Sequence, residues 1–281
     1  MRNLLVLCIL LSTTHALAFE PLNTDDAGTV GFEVNQIEAY FYSITAGGPN
    51  GEFSDISPGE EFVGSGNAKT FPLTFTRGLS DSTEASVSTS YYALPRGQFS
   101  PISNYVFGFK WRFMGDGESG LSLAAKPSLT LPSGNNQQVA GLGNAATNYG
   151  LNMIGSYNWE SIGVHLNMSY EREPYNANYS VAGDLDPQRK NVIAFSIAPV
   201  WQAHPKLKLA LDVGGGTNTP TASPTYMSTY AMAASIYSPL PALDFGIAYL
   251  VSGNNLSDTV SSGKSKRNGS DRFEMGVTWR F

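Results

Sequence analysis

The sequence predicts an all-β chain, a transmembrane antiparallel β-barrel of twelve strands, and three observations support this fold class. Apolar and polar residues alternate through many short segments, as they do in strands that have one apolar face. The connections between these segments are long and short in turn, as in barrels with short periplasmic turns and long outer loops. The last segment, 271–281, alternates most regularly. Its apolar face carries Phe273, Met275, Val277, Trp279 and Phe281.

Residues 1–18 have the three parts of a secretory signal peptide. Arg2 supplies the charge, residues 4–11 form an apolar core, and Ala16 and Ala18 form the small-residue cleavage site. The apolar core is too short to span the ~30 Å of hydrocarbon in a bilayer. Cleavage after Ala18 would leave a mature chain without cysteine, because Cys8 lies in the signal. We therefore expect export, a periplasmic N-terminal segment at 19–29 and a barrel at 30–281.

Composition excludes several classes of protein. After residue 18 no apolar run is long enough for a transmembrane helix, so this chain can enter a membrane only as a closed barrel. The 17 basic and 23 acidic residues give a net charge of −6, which argues against nucleic acid as a partner. Charged residues make up 14% of the chain, below the ~25% that is usual in soluble domains.

Twelve alternating segments follow one another along the chain. The facing of strands 1 and 10 stays open; in strand 1 we favour Gln36 and Glu38 inward, with Ile37, Ala39 and Phe41 outward. In strand 4 the aromatic face lies opposite a basic one. The predicted strands are 30–42, 70–77, 83–93, 105–113, 121–131, 149–157, 162–170, 191–201, a ninth at about 207–213, 226–237, 243–251 and 271–281.

The connections after odd-numbered strands are the long ones. The longest of them are 43–69, 132–147, 173–188 and 252–270, whereas those after even-numbered strands have a few residues each. A soluble β-sandwich is the alternative fold, but it has no reason to separate loop lengths in this way. Two tryptophans, Trp111 and Trp279, end up on outward faces, where we expect a membrane girdle.

Several stretches together resemble one protein family. They are residues 21–29, 76–81, 107–113 and 131–134, with His165, Leu166, Asn167 and Tyr170 of strand 7. In order and spacing they are similar to the outer-membrane transporters of the phenol meta-cleavage degradation pathway, over nearly the whole mature chain. The resemblance implies a barrel of this size that passes small molecules, aromatic compounds among them. Separately, the closing strand looks like the end of a bacterial outer-membrane barrel, and this likeness implies that Phe281 is the sorting signal that the barrel-insertion machinery reads.

Charged side chains collect on the predicted inner face, where we expect them to line a pore. The near balance of carboxylates and fixed cations argues against a strongly ion-selective pore. Either the charges pair and brace the wall, or Lys110, Arg112 and Lys126 form a cationic ladder that guides anionic or phenolic solutes. We expect Asp244 to pair with Arg280. The predicted inward residues are Glu38, Glu84, Lys110, Arg112, Lys126, His165, Glu171, Lys208, Asp212, Asp244, Glu274 and Arg280.

A barrel hydrolase is a further possibility, because His165, Asn167 and Ser169 share one face of strand 7. Residues i and i+4 of a strand are ~13 Å apart, so His165 cannot reach Ser169. A serine nucleophile must lie within hydrogen-bond reach of its base, so only a His–Ser contact between strands would favour this class. Without cysteine in the mature chain, and with His165 and His204 isolated, we expect no catalytic site, metal or cofactor.

The sequence therefore predicts a passive channel for small molecules in the outer membrane of a Gram-negative bacterium. Aromatic or other hydrophobic compounds are one solute class that fits. A structural or surface-binding barrel, such as an adhesin or receptor, is the alternative. An open lumen would favour the channel, and a closed lumen with paired charges the structural role. Expected partners are membrane lipid, the insertion machinery, a solute and lipopolysaccharide, which the basic residues 264–267 would meet.

Overall fold

The computed structural model describes residues 21–46, 67–172, 191–218, 227–254 and 270–281, and these residues form a closed antiparallel barrel. Each strand pairs with its neighbours in the chain, and β12 pairs with β1. The twelve-strand barrel is thus confirmed. The strands are β1 Asn35–Ala46, β2 Asn67–Ser80, β3 Thr83–Leu94, β4 Val106–Met114, β5 Gly120–Thr130, β6 Asn148–Asn158, β7 Ile162–Arg172, β8 Asn191–His204, β9 Leu207–Asn218, β10 Met227–Leu240, β11 Leu243–Asn254 and β12 Ser270–Arg280.

A short helix, α1 Asn135–Val139, lies in the connection between β5 and β6. Among the described residues, helical structure is nowhere long and apolar enough to cross a bilayer. The predicted signal peptide and the basic residues 264–267 lie outside the described ranges.

Polarity alternates across the barrel wall in the sense that a membrane requires. In β12, Met275 and Trp279 point outward and are about half exposed, whereas Arg272 and Glu274 point inward and are fully buried. The same alternation leaves apolar side chains exposed over the outer face of the other strands. An apolar exterior and a polar interior are the arrangement that lipid outside and water inside favour. The outer face is therefore suited to contact with lipid.

Short turns close one end of the barrel, at 81–82, 115–119, 159–161, 205–206 and 241–242. At this short-turn end Trp111, Trp279 and Phe281 point outward, and the Trp279 and Phe281 rings stack with centroids 4.5 Å apart. Aromatic side chains at this level are typical of a membrane girdle. Phe281 and Asn35 exchange two main-chain hydrogen bonds of 2.9 Å, which join the chain terminus to the start of β1. The role of Phe281 as a sorting signal stays a prediction.

Strand β1 begins later than predicted, at Asn35 rather than residue 30. Gly31 and Glu33 have φ angles of 88° and 63°, which break the extended conformation before the ladder can start. Within β1 the predicted facing is confirmed, because Gln36 and Glu38 are buried inside the barrel. The open facing of β10 is now determined: Tyr230, Met232, Ala234 and Ile236 point inward.

Residues 21–30 lie inside the barrel, and we call them the lumen segment. The turn at Gly31 directs them inward past Gly78, whose N–H donates to Val34 O at 2.9 Å. A Cβ on Gly78 would stand 1.6 Å from Gly31 O, so only glycine allows this crossing. We expected residues 19–29 in the periplasm, but the described part of this range contacts inward side chains instead. Its polarity is compatible with either place, because wall side chains offer the hydrogen bonds that water would offer.

Candidate functional site

Lys110 of β4 is the centre of the contacts between the wall and the lumen segment. Its Nζ lies 3.3 Å from Asp25 Oδ1 and 3.4 Å from Glu84 Oε1, and it donates to the carbonyls of Asp26 at 3.2 Å and Gly28 at 3.1 Å. The Lys110 side chain is 1% exposed. A cation this deeply buried requires several polar partners. Three of its four partners belong to the lumen segment, so Lys110 connects that segment to the wall.

The Asp25 carboxylate lies between two ammonium groups. Lys126 of β5 approaches the second carboxylate oxygen, with Nζ 2.6 Å from Oδ2, and remains one-third exposed. Each oxygen of Asp25 therefore has its own cation. Charge-assisted hydrogen bonds of this kind are about twice as strong as neutral ones.

The main chain of Asp25 is held by a single side-chain amide. Asn167 of β7 accepts from Asp25 N at 2.9 Å and donates to Asp25 O at 2.7 Å. Asn152 donates to the same Asn167 Oδ1 at 2.8 Å, which orients the amide. These contacts and the two lysines make Asp25 the most extensively bound residue of the segment.

The preceding residue of the lumen segment, Thr24, contacts Asp212 of β9. Its carboxylate accepts from Thr24 N at 2.8 Å, from the Thr24 hydroxyl at 2.7 Å and from the Tyr230 hydroxyl at 2.7 Å. Asp212 is fully buried. Three donors satisfy a buried carboxylate that would otherwise be costly.

Nearer the long-loop end, Arg272 NH2 donates to Asn23 Oδ1 at 2.7 Å. The Arg272 Nε pairs with Glu274 at 2.6 Å, and its guanidinium carbon lies 4.8 Å from the centroid of the Tyr42 ring. Leu22 contacts an apolar part of the inner wall. This apolar wall consists of Ala198, Val200, Ala210, Tyr230, Met232, Ala234, Ala248 and Leu250, on β8 to β11.

At the short-turn end the segment is held by three further hydrogen bonds. Val30 N donates to Glu84 Oε2 at 2.8 Å, and the Thr29 hydroxyl donates to the Asp81 carbonyl at 2.8 Å. Ala27 N donates to the Ser156 hydroxyl at 2.8 Å. The lumen segment thus contacts the wall along its whole described length.

A His–Ser contact between strands exists, but it lies beneath the lumen segment. Ser156 Oγ and His165 Nδ1 are 2.8 Å apart on the paired strands β6 and β7. Because Ala27 N donates to Ser156, the hydroxyl proton is available to donate to the neutral form of the histidine ring. Both side chains are almost fully buried. The geometry alone meets the condition set for a hydrolase, but the hydroxyl is covered.

All ten residues predicted to line a pore belong to the inner face of the wall. Their lining of an open passage stays a prediction. Two of the three cations of the predicted ladder, Lys110 and Lys126, come together as expected, but Asp25 and Glu84 balance their charges. The third, Arg112, donates to the Asp81 carbonyl at the short-turn end. The ten residues are Glu38, Glu84, Lys110, Arg112, Lys126, His165, Asp212, Asp244, Glu274 and Arg280.

The expected pair of Asp244 and Arg280 is confirmed, with Oδ2 and NH2 2.8 Å apart. Arg280 Nε also donates to Gln36 Oε1 at 2.8 Å, and Gln36 Nε2 donates to Glu38 at 3.0 Å. These residues join β11, β12 and β1 across the closure of the barrel. This part of the inner wall fits the bracing interpretation of the lumen charges.

Sequence reasoning missed the position of the lumen segment and one inward cation. Arg272 lies two residues before Glu274 in β12 and therefore on the same face, so the alternation alone could have identified it as an inward residue. Thr24, Asp25 and Asp26 stand in a stretch that the family resemblance already singled out. Within the ranges that the structure describes, no group of three or more His, Cys, Asp or Glu is placed to hold a metal ion.

Comparison with known proteins supports the barrel fold. No protein-family model matches the chain, and no curated protein matches it. Among solved structures it is similar to the COG4313 outer membrane channel from Pseudomonas putida F1, with a TM-score of 0.58 and 12% identity over 91% of this chain and 98% of that one. The protein is a barrel of the bacterial outer membrane.

A second similar structure is the KdgM porin in complex with disordered oligogalacturonate. Its TM-score is 0.51 and its identity 8%, over 87% of this chain and 99% of that one. At these identities the likeness concerns the fold. The outer-membrane barrel expected from the resemblance is confirmed, whereas the phenol-pathway family is not.

Proposed function

We propose that the protein is a passive outer-membrane channel for small molecules and that the lumen segment closes it. The observation that carries this proposal is a non-strand segment, bound to wall side chains, in the interior of a barrel similar to channels and porins. A twelve-strand barrel is wider than the eight-strand barrels that wall side chains can fill, so its interior has room for a passage that the segment now occupies.

The way the segment is bound supports its movement. Four of its main-chain N–H groups, those of Thr24, Asp25, Ala27 and Val30, donate to wall side chains. Because water can replace the partner, such hydrogen bonds contribute about 0.5–1.5 kcal/mol each at a neutral acceptor and about 1.5–3 kcal/mol each at the carboxylates of Asp212 and Glu84. The segment can therefore leave while the strand ladders stay intact.

The apolar wall of β8 to β11 supports aromatic or other hydrophobic solutes, the class that the resemblance to phenol-pathway transporters implies. Tyr230, Met232 and Leu250 present apolar surface to the lumen beside Leu22. The charged side chains Glu84, Lys110 and Lys126 belong to another part of the inner wall, on β3 to β5. A solute with a polar group and an apolar body would contact both parts of the inner wall.

Single-channel recording in a planar bilayer tests the proposal. We expect the refolded mature protein to show brief openings separated by long closed periods, because the segment leaves only transiently. Addition of phenol should shorten the openings. A folded, inserted barrel that stays silent under all voltages would contradict the proposal and favour the structural or surface-binding alternative.

The contact between His165 and Ser156 is the specific observation that favours a hydrolase as a second candidate. We expect the refolded protein and its Ser156→Ala variant to hydrolyse p-nitrophenyl esters at the same background rate, because Ala27 covers the hydroxyl. The release of p-nitrophenolate, followed by its absorbance, decides between the two results. Faster hydrolysis by the unsubstituted protein would support the enzyme.

A further inference from the structure

We propose that Lys110, Lys126 and Asn167 form a binding site for the carboxylate of a solute, which Asp25 occupies while the lumen segment is in place. This inference rests on the proposed function, because the solute reaches the site only when the segment leaves. It names the substrate class of the channel as small organic carboxylates.

Asp25 is chemically a carboxylate ligand that happens to belong to the chain. Its CH₂–COO⁻ group has the structure of an acetate ion bound by two ammonium groups. Lys110 Nζ lies 3.3 Å from one carboxylate oxygen, and Lys126 Nζ lies 2.6 Å from the other. A free carboxylate could make both contacts without any change of the wall. The amide of Asn167, now bound to the Asp25 main chain at 2.9 and 2.7 Å, would offer the solute one donor and one acceptor.

Departure of the segment leaves an uncompensated charge at this site. Lys110 keeps Glu84, 3.4 Å away, but Lys126 loses the pair that it makes with Asp25. Without Asp25, the two lysines and the Glu84 carboxylate together carry a net positive charge, which favours an anion over a neutral solute. Lys126 is also one-third exposed, so the site can be reached from the lumen.

A competition experiment with benzoate tests the site. Binding is measured by isothermal titration calorimetry on the folded mature protein in detergent, first unsubstituted and then as Asp25→Asn. Because the internal carboxylate occupies the site most of the time, we expect Asp25→Asn to bind benzoate about tenfold tighter or better. Benzamide, which has the same size without the charge, should not bind measurably to either form.

The lysine variants identify the site. In the Asp25→Asn background, Lys126→Met should abolish benzoate binding, and Lys126→Gln provides the same test should the methionine variant not fold. Lys206→Met is the matched control, because Lys206 is exposed in the β8–β9 turn and donates to Pro239 O. It should leave benzoate affinity unchanged.

Three outcomes would overturn the inference: equal benzoate affinity with and without Lys126, equal affinity with and without Asp25, or benzamide binding as tight as benzoate binding. None of them depends on conductance, since the titration needs no membrane. An Asp25→Asn barrel that conducts ions but does not bind benzoate would refute the carboxylate site and leave the channel proposal intact. Benzoate binding to a barrel that never conducts would support the carboxylate site and refute the channel proposal.

Discussion

Replacement of Lys110 by methionine is expected to convert brief openings into sustained ones. Methionine keeps most of the side chain's volume but removes the ammonium that contacts Asp25, Glu84 and two carbonyls of the lumen segment. Breaking a buried ion pair by removal of one partner costs about 3–5 kcal/mol, because the remaining charge is left unpaired. The substitution therefore destabilises the closed state relative to the open state, because water can hydrate Glu84 and Asp25 once the segment has left.

The measured quantity is the fraction of time that a single channel is open, for barrels that first pass a folding check by gel mobility before and after boiling. Lys206→Met removes an exposed lysine from the same barrel and should leave the open fraction at its original value. An open fraction of Lys110→Met equal to that of the control would show that Lys110 does not retain the segment.

Gly276→Ala is expected to reduce sharply the yield of folded barrel. In the closure of the barrel, Tyr40 of β1 pairs with Gly276 of β12, and the Tyr40 ring lies against this glycine. A Cβ at Gly276 would stand 2.3 Å from Tyr40 Cγ and 2.5 Å from Ala39 O. Overpacking typically costs about 1–3 kcal/mol, and a contact with main chain cannot be relieved by a rotamer change. The strand pair that closes the barrel must therefore move apart.

The folded yield is the fraction of refolded protein that migrates differently when unboiled. Gly155→Ala is the matched control, because a Cβ there would meet only Leu123 Cδ2, at an ordinary contact distance of 3.5 Å. Tyr40→Ala combined with Gly276→Ala should recover part of the yield, as the ring is removed but the Ala39 carbonyl remains. Equal yields for Gly276→Ala and Gly155→Ala would contradict the proposed packing at the closure.

The barrel wall could be predicted because its pattern is local. In β12 every second residue meets lipid, so Met275 and Trp279 differ in kind from Glu274 and Arg280, and no knowledge of distant residues is needed. The same argument correctly placed Gln36 and Glu38 inside. It also placed Lys110 and Lys126 together, because consecutive strands of a barrel are neighbours.

The position of the lumen segment could not be predicted in this way. A polar stretch such as residues 21–30 has no periodicity that distinguishes periplasm from lumen. Its partners lie far away in the chain: Asp25 binds Lys126 and Asn167, and Thr24 binds Asp212. Only the curvature and register of the closed barrel bring these side chains to the segment. For the same reason the sequence showed two lysines side by side but not the carboxylate between them.

A reversible covalent link between the lumen segment and the wall is the most direct test of the closure mechanism. Ala27 and Ala124 are both fully buried and belong to one cluster with Ile154. Cys8 is the one cysteine of the sequence, so in an Ala27→Cys/Ala124→Cys variant produced without residues 1–18 the two new thiols are the only ones. Formation of the disulfide is confirmed by mass spectrometry before single-channel recording. We expect the oxidised barrel to stay closed and a reductant to restore brief openings in the same membrane. A fully cross-linked barrel that conducts as the reduced one does would contradict closure by this segment.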